Sequence, residues 1–437
     1  MAAIPSDKGR ERLFYMDNLR VALTILVILH HLSVIYAANT PFYYVEQTDS
    51  VITIVLLAMF QLLNQAYFMG MFFFLAGYFT PGSFDRKGVG VYLKDRLLRL
   101  GIPLLIYIFV LNPAAAAGVY YMPSALTGIT GTYTWSEYPK HISSGPLWFA
   151  IMLLIFDFGY AAYRAGMGKR RGKPAAASNW EKMETSGNQT GEKSLESAGN
   201  LADAGNSADK GNLAGNKDLA GARNLAGSKE LMGAASFPDL RRIGLFVLAL
   251  AAASYLIRIV FLFSKTYLVF PSLAYLPQYL SFFVIGALAY RGDWLRAIPD
   301  RYGTMGFAAA AISTFLLMPV AMSVRLGAGD AFLGGGTWQS AVYALWDSIF
   351  SVGMGLGLIV YFRRRRNQQK KLGASLAASS FAVYLIHCPL IVLLAVLLRN
   401  LHIAAMMKFC LTACLGVPLC FAAAYLLRKL PGLNKIL

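Results

Sequence analysis

Ten apolar runs of membrane length dominate this sequence of 437 residues. A helix rises ~1.5 Å per residue, so about 20 apolar residues are needed to cross a hydrocarbon core ~30 Å thick. Charged residues make up only 14% of the chain, against about a quarter in soluble domains. We therefore predict an all-α polytopic membrane protein with about ten transmembrane helices, the second of them tilted or broken near Asn64 and Gln65. The runs are 19–38, 51–79, 100–122, 146–164, 243–263, 273–290, 302–322, 339–362, 375–397 and 404–427.

Lysine and arginine are distributed very unevenly between the connecting segments. The two termini and the segments 80–99, 164–242, 291–301 and 363–371 hold 34 of the 40 basic residues, the intervening loops hold five, and Arg258 lies inside a span. Because positively charged segments stay in the cytoplasm, this basic side is predicted to be cytoplasmic and to carry both termini. Topology thus explains the net charge of +18, and we predict no nucleic-acid partner.

Residues 165–238 are the one long polar stretch. They are rich in Gly, Asn, Ala, Ser and Lys, repeat the pattern Gly-Asn-Leu-Ala loosely, and contain one aromatic residue, Trp180, before Phe237. Such a composition buries too little apolar area to offset the entropy of ordering. We predict a disordered cytoplasmic linker between membrane modules at 1–164 and 239–437, with spans one to four and five to ten. A small repeat fold is the alternative.

The first span keeps ionisable residues, although burying one in hydrocarbon costs ~2.5–3.5 kcal/mol even on the lenient insertion scale. Arg20 lies at its basic-side entrance, and His31 follows eleven residues later, which is three turns and ~16 Å deeper on nearly the same helix face. His30 points about 100° away from that face. A histidine at this depth can take a proton from a hydroxyl group. The alternative is a neutral histidine that bonds to a neighbouring helix and has no chemical role.

Arg96 and Arg99 are spaced i and i+3 at the entrance of the third span, so they share one helix face. Guanidinium groups bind phosphates through two parallel hydrogen bonds, and this pair is predicted to bind phosphates from the cytoplasm. The alternative is a pair of topology anchors that contact lipid headgroups.

Polar and aromatic residues in the later spans supply the remaining candidates for acceptor binding or for orienting a histidine. The carboxylates well inside spans are expected to orient a histidine or to pair with the buried arginine. These candidates are His387, Tyr384, Trp148, Asp157, Asp347 and Arg258.

Several kinds of chemistry lack support in the sequence. The four cysteines all lie in the last two apolar runs without a Cys-x-x-Cys pair, so we predict buried apolar cysteines, no bound metal and no disulfide framework. The P-loop, Gly-x-Gly-x-x-Gly, His-Glu-x-x-His and Gly-x-Ser-x-Gly patterns are missing. Nucleotide hydrolysis, hydride transfer and soluble-type hydrolase chemistry are therefore not expected.

Five short motifs follow one another along the chain. They are Tyr15-Met-Asp17-Asn-Leu-Arg20 with His31, Phe74-Leu-Ala-Gly77-Tyr78, Arg96-Leu-Leu-Arg99 with Pro103, Gly145-Pro-Leu-Trp148-Phe, and Val383-Tyr384-Leu-Ile-His387. In this order, and with ten spans, the chain resembles the family-3 membrane acyltransferases, bacterial enzymes that move acyl groups onto carbohydrates and similar acceptors. The resemblance covers nearly all of the chain outside 165–238.

One motif departs from the family pattern. Many members carry a glutamate five residues after the tryptophan of the fourth motif, and here that place is Leu153. Asp157, one turn further on, is a possible substitute. With the Asp-x-Leu-Arg opening, the chain looks most like the subgroup that includes glucan succinyltransferases.

The resemblance implies a multi-pass enzyme of the inner membrane that uses acyl-CoA as co-substrate and has no bound cofactor. His31, Arg20 and Asp17 would be catalytic, and Arg96, Arg99 and Arg20 would bind the phosphates of acyl-CoA. An acetyl or succinyl group would pass to a hydroxyl of an extracytoplasmic carbohydrate or small polar acceptor.

Two other classes of function remain open from the sequence. A secondary transporter would use His31, Asp157 and Asp347, together with Arg258, as a substrate or proton path. The inverted repeat expected of such a transporter is not evident. A membrane sensor or scaffold would use residues 165–238 to bind a partner, which leaves the intramembrane histidine without a role.

Overall fold

The computed structural model describes residues 13–127, 129, 131–170, 237–263, 265–267, 270, 273–323 and 331–433. Helices account for nearly all regular structure in these ranges, and no strand occurs in them beyond an isolated bridge between Tyr267 and Phe270. The α-helices are α1 Phe14–Ala37, α2 Val51–Gln65, α3 Phe68–Arg96, α4 Ile102–Ile106, α5 Asn112–Ala116, α6 Ser124–Thr127, α7 Trp148–Arg170, α8 Leu240–Val260, α9 Leu276–Arg291, α10 Trp294–Ala297, α11 Asp300–Ala321, α12 Trp338–Arg365, α13 Lys371–Leu397 and α14 Ala405–Leu427.

Nine helical stretches within the described ranges are long and apolar enough to cross a membrane. One of them, Val51–Tyr121, is 71 residues long. A straight helix of that length would measure ~107 Å, about three and a half times the thickness of a hydrocarbon core. This stretch contains both the second and the third predicted spans, which accounts for the difference between nine stretches and ten predicted spans. The all-α polytopic class is confirmed, and the cytoplasmic location of the termini stays a prediction.

The long stretch is broken where its backbone leaves the helical region. Tyr67, between α2 and α3, has φ −135° and ψ −31°, close to the break predicted near Asn64 and Gln65. Within α3, Gly88 has φ 71° and ψ 170°, a conformation that residues with a β-carbon seldom adopt. The chain therefore changes direction between its two apolar runs.

Residues 97–121 form an irregular continuation of α3. Leu97–Gly101 and Tyr107–Leu111 are π-helical, and each stands just ahead of a proline, Pro103 or Pro113. Proline has no backbone N–H, so the carbonyl four residues earlier loses its helical partner, and the local winding relaxes. One freed carbonyl, that of Phe109, accepts a hydrogen bond from the hydroxyl of Tyr138.

Close glycine contacts fix the main helix crossings. A β-carbon at Gly77 of α3 would lie 2.0 Å from the carbonyl oxygen of Phe283, and one at Gly286 of α9 would lie 2.2 Å from that of Phe74. Small residues allow such close approach between helices that cross a membrane. Gly77 belongs to the second sequence motif, so that motif sets the packing of α3 on α9.

The chain divides into two units, Met1–Asp157 with Phe237–Leu437, and Phe158–Ser236. Of the second unit, the structure describes Phe158–Arg170, the remainder of α7. Residues 165–170 are therefore helical, although they were assigned to the linker. The rest of the predicted linker, 171–236, lies outside the described residues.

Candidate active site

Helices α1 and α13 bring two histidines into contact. Nε2 of His387 lies 3.2 Å from Nδ1 of His31, although the residues are 356 positions apart in the chain. Their ring centroids are 4.9 Å apart, and the ring of Phe42 stacks on that of His31 at 5.4 Å. Two residues that the sequence offered as separate candidates thus form one pair.

The hydrogen bonds of this pair assign a tautomer to each ring. Nδ1 of His387 is 2.8 Å from the carbonyl oxygen of Tyr384, and a carbonyl only accepts, so a neutral His387 carries its proton on Nδ1 and a lone pair on Nε2. By the same reasoning Nδ1 of His31, 2.9 Å from the carbonyl oxygen of Val27, carries the proton. That N–H also faces Nε2 of His387. His31 therefore keeps a lone pair on Nε2, the form a general base requires.

His31 lines a cavity of about 700 Å³, within the ~300–1,000 Å³ usual for small-molecule sites. We call it the histidine cavity. One wall is a stack of aromatic rings in which Tyr279 lies 5.5 Å from Trp148 and 5.8 Å from Tyr275. Gln65 donates to the hydroxyl of Tyr279 at 3.3 Å. The cavity combines flat apolar faces with a few polar groups beside the histidine.

Trp148 was a sequence candidate, but Tyr275, Tyr279 and Gln65 were missed. Tyr275 and Tyr279 are spaced i and i+4 and so share one helix face. Gln65 is a polar side chain inside an apolar run. These two signals are present in the sequence and would have identified the wall.

His30 also lines the histidine cavity. Its ring stacks on Phe68 at 5.2 Å, and its Nδ1 lies 3.4 Å from Nδ2 of Asn64. The predicted rotation away from His31 holds, since its partners belong to α2 and α3 rather than α13. Both histidine rings nevertheless line the same cavity.

A second cavity of about 460 Å³ is lined by Arg20, Arg96 and Arg99. We call it the arginine cavity. Met69 and Tyr384 line both cavities, so the two adjoin at these side chains. The structure thus brings together the predicted arginines in a cavity that adjoins the cavity of the predicted histidines.

Asp17 and Arg20 lie far from the histidine pair. Asp17 is in the first turn of α1, fourteen residues and therefore ~21 Å along the helix from His31. Its Oδ1 is 3.4 Å from a guanidinium nitrogen of Arg20, whose guanidinium carbon lies 5.4 Å from the ring of Phe79. These contacts fit a role in the arginine cavity and not one at the reacting atoms.

Asp157 contacts Arg96. Its Oδ2 is 3.2 Å from Nε of Arg96, and its Oδ1 accepts from the hydroxyls of Tyr92 at 2.6 Å and Thr80 at 3.1 Å. The Asp157 side chain is fully buried, so the nearby cation stabilises its charge. Arg99 is 59% exposed and pairs with Asp95 at 3.0 Å. The two arginines of the motif therefore differ, because only Arg96 is tied to a buried carboxylate.

Arg258 pairs with Asp347, one of the two carboxylates predicted to do so. The nitrogen–oxygen distance is 2.6 Å, and both side chains are buried. Three rings surround the guanidinium carbon at 4.7–5.3 Å: Phe263, Tyr275 and Tyr343. Aromatic faces stabilise a desolvated cation. The same three rings line the histidine cavity. The guanidinium group of Arg258 therefore packs against side chains that form the wall of this cavity.

Comparison with protein families decides what class of protein this is. A model of the acyltransferase domain of family 3 matches residues 13–178 and 235–427, which is most of the chain. The chain is a family 3 acyltransferase. The predicted resemblance is confirmed, and the protein is a multi-pass membrane protein. The match omits residues 179–234, which fall inside the predicted linker.

Curated relatives of this acyltransferase match it over a shorter region. Glucans biosynthesis protein C of Escherichia coli K12 is 28% identical over 149 residues, which are 33% of this chain and 37% of the relative. The protein of the same name from Shigella dysenteriae serotype 1 has the same figures. The chain thus spans little more than a third of the length of these relatives. No solved structure matches the chain.

Proposed function

We propose that this acyltransferase moves an acyl group from cytoplasmic acyl-CoA in the arginine cavity to a hydroxyl of an acceptor in the histidine cavity. The observation that carries the proposal is the junction of the two cavities at Met69 and Tyr384. A donor with anionic phosphates and a thin arm suits such a junction. The phosphates stay beside the arginines while the thioester reaches the histidine pair.

The arginine cavity supports an anionic donor. Arg99 is the most accessible of its three guanidinium groups, and Arg20 lies on the same cavity. Phosphates accept charge-assisted hydrogen bonds from such groups. Arg96 adds positive charge, but Asp157 already engages its Nε atom. Arg99 is therefore the principal phosphate ligand in this proposal.

The histidine pair supports base catalysis. The acceptor hydroxyl gives its proton to Nε2 of His31, its oxygen attacks the thioester carbonyl, and the carbon–sulfur bond breaks as the acyl group moves. The leaving CoA thiolate then takes the proton from the His31 imidazolium. His387 accepts the N–H of His31 at 3.2 Å, which holds the ring in its tautomer and stabilises the positive charge that develops.

In this proposal the acceptor is a carbohydrate of the cell envelope, and the transferred group is an acetyl or a succinyl group. The name of the glucans biosynthesis relatives supports a glucan. The stack of Trp148, Tyr279 and Tyr275 supports a ring-shaped acceptor, since the apolar face of a sugar packs on flat aromatic surfaces. With the predicted topology of the protein in the inner membrane, such an acceptor enters from the extracytoplasmic side, opposite the side that carries most of the basic residues.

The transporter alternative has less support. The substrate or proton path predicted for a transporter includes Asp157 and Asp347. Asp157 contacts Arg96 at 3.2 Å, and Asp347 contacts Arg258 at 2.6 Å. Carboxylates held in such ion pairs are better suited to packing and charge balance than to carrying a proton along a transport path.

The test is acyl transfer by the purified full-length chain in nanodiscs, with radiolabelled acetyl-CoA or succinyl-CoA and a glucan extract as acceptor. Labelled glucan that depends on the protein and on His31 is the expected result, together with saturable CoA binding. Label that reaches glucan equally with a His31→Ala variant would remove His31 from the mechanism. Failure to bind CoA would overturn the assigned donor.

A further inference from the structure

The histidine pair has a third neighbour, the thiol of Cys388. Its sulfur lies 3.3 Å from Nε2 of His387, and the side chain is fully buried. One donor atom from each of His31, His387 and Cys388 lies within 4.8 Å of the other two. We call these three residues the His-His-Cys cluster. The proposed transfer gives its thiol no role.

We propose that the His-His-Cys cluster is an inhibitory binding site for a borderline transition-metal cation of the Zn²⁺ type. Imidazole nitrogen and thiolate sulfur are the ligands that such a cation prefers. In tetrahedral geometry, with bonds of ~2.0–2.1 Å to nitrogen and ~2.3 Å to sulfur, ligand atoms stand ~3.3–3.6 Å apart. The distances of 3.2 Å and 3.3 Å already approach these values. The third pair, His31 and Cys388, lies within 4.8 Å, so these two ligand atoms must approach each other by at most ~1.5 Å to complete the tetrahedral set.

The surroundings of the cluster suit a metal ligand. His387 donates its Nδ1–H to the carbonyl of Tyr384 at 2.8 Å, and histidines that bind metals usually make such a bond from the nitrogen that does not bind. His31 lines the histidine cavity, which gives the cation an entry path and leaves room for water as a fourth ligand.

Metal binding and base catalysis exclude each other at His31. The cation takes the lone pair of Nδ1, so the ring carries its proton on Nε2 and has no lone pair for the acceptor hydroxyl. Nδ1 also gives up its hydrogen bond to Val27. The Cys388 thiol releases one proton as it becomes a thiolate ligand. The inhibition rests on the proposed function, whereas the binding of metal does not.

The binding test uses Co²⁺ as a spectroscopic substitute for Zn²⁺ with the purified full-length chain. We expect one Co²⁺ per chain, a thiolate-to-cobalt charge-transfer band, and loss of that band when Zn²⁺ displaces the cobalt. Cys388→Ser should abolish the band and weaken Zn²⁺ binding by about tenfold or more, since even loss of an outer partner costs ~10–100-fold. Cys388→Ala is the second variant in case the serine variant does not fold.

Cys414→Ser is the matched control, because Cys414 is an exposed cysteine of α14 and should leave the band unchanged. No band in the wild-type chain, or a band that survives both Cys388 substitutions, would overturn the metal site and leave the proposed function intact.

The inhibition test adds Zn²⁺ to the transfer assay. We expect transfer to fall by a factor of about 10²–10⁴, the usual contribution of a general base, and to recover when EDTA is added. The Cys388→Ser variant should transfer at nearly the wild-type rate and resist Zn²⁺. Normal transfer by a wild-type chain that carries bound metal would overturn both the inhibition and the role of His31 as base.

Discussion

At the scale of single residues, two neighbouring histidines on one helix have different partners. His31 contacts His387 of α13, whereas His30 stacks on Phe68 and lies near Asn64. The separation follows from the rotation of about 100° per residue in a helix. Both rings line the same cavity, so the contact with His387, and not the cavity alone, distinguishes the proposed base.

His31→Ala is expected to lower acyl transfer by a factor of about 10²–10⁴, the usual contribution of a general base, while the protein still inserts and folds. His30→Ala is the matched control and should be milder, since its ring does not contact His387. Transfer from labelled acyl-CoA, normalised to folded protein in membranes, measures both. More than a tenth of wild-type transfer in His31→Ala would contradict the assignment.

Arg99→Gln is expected to raise the KM for acyl-CoA by about ten- to a hundredfold, because a charge-assisted contact to phosphate contributes ~1.5–3 kcal/mol. The turnover number should recover at saturating donor, since Arg99 lines the arginine cavity and is not among the residues that line the histidine cavity. Arg99→Lys should restore only part of the affinity, because a point charge cannot reproduce the guanidinium fork. Steady-state kinetics over a range of acyl-CoA concentrations measures this. Unchanged KM in a well-inserted Arg99→Gln protein would favour a topology anchor.

Arg96→Gln is expected to lower the free energy of unfolding by up to ~3 kcal/mol, because it leaves the buried carboxylate of Asp157 without its cation. Combining it with Asp157→Asn should restore part of the lost stability, since the double variant has no unpaired charge. Thermal unfolding of the purified proteins in detergent compares the single and double variants. Equal stability of Arg96→Gln and wild type would show that the ion pair contributes little.

At the scale of helices, the crossing of α3 and α9 depends on two glycines. A β-carbon at either Gly77 or Gly286 would meet a backbone carbonyl of the other helix at 2.0–2.2 Å, and backbone atoms cannot turn aside as a flexible side chain can. Both helices line the histidine cavity, since α3 contributes Met69 and α9 contributes Tyr279. The geometry of their crossing therefore helps set the spacing of the site.

Gly77→Ala is expected to lower the unfolding temperature and reduce the yield of folded protein, because the two helices must move apart. Gly244→Ala in α8 is the matched control: a β-carbon there meets no atom within 4 Å, and alanine is the better helix former. Thermal unfolding in detergent distinguishes the two. Similar unfolding temperatures for Gly77→Ala and wild type would mean that the helices adjust without cost.

At the scale of the whole molecule, one stretch separates the two halves of the family match. That match runs over 13–178 and resumes at 235, so residues 179–234 are additional to the acyltransferase domain. Among the residues that the structure describes, those lining both cavities come from the two matched segments.

Replacing 179–234 with a flexible Gly/Ser linker that spans the same gap is expected to leave acyl transfer largely intact, since Gly/Ser chains adapt to the distance they must cover. Transfer per folded molecule, with expression measured alongside, is the readout. A well-expressed deletion that loses transfer would make these residues a working part of the enzyme.

The sequence by itself determined the class of the protein and the positions of several candidate site residues along its helices. Apolar length is a local property of the chain, and so is the spacing of Arg96 and Arg99 on one helix face. The five motifs predicted the family, which the family match confirms. For these properties no knowledge of neighbouring helices is needed.

Only the tertiary structure decided which residues meet. Membrane helices present similar apolar surfaces, so one sequence does not say which pairs pack together, and packing of small residues selects the partners. In the packed structure His31 contacts His387 across 356 residues, Asp157 pairs with Arg96, and Asp347 pairs with Arg258. The absence of a Cys-x-x-Cys pair argued against a metal from the sequence. The proposed His-His-Cys cluster combines ligands from α1 and α13, and such a combination exists only once those helices are packed.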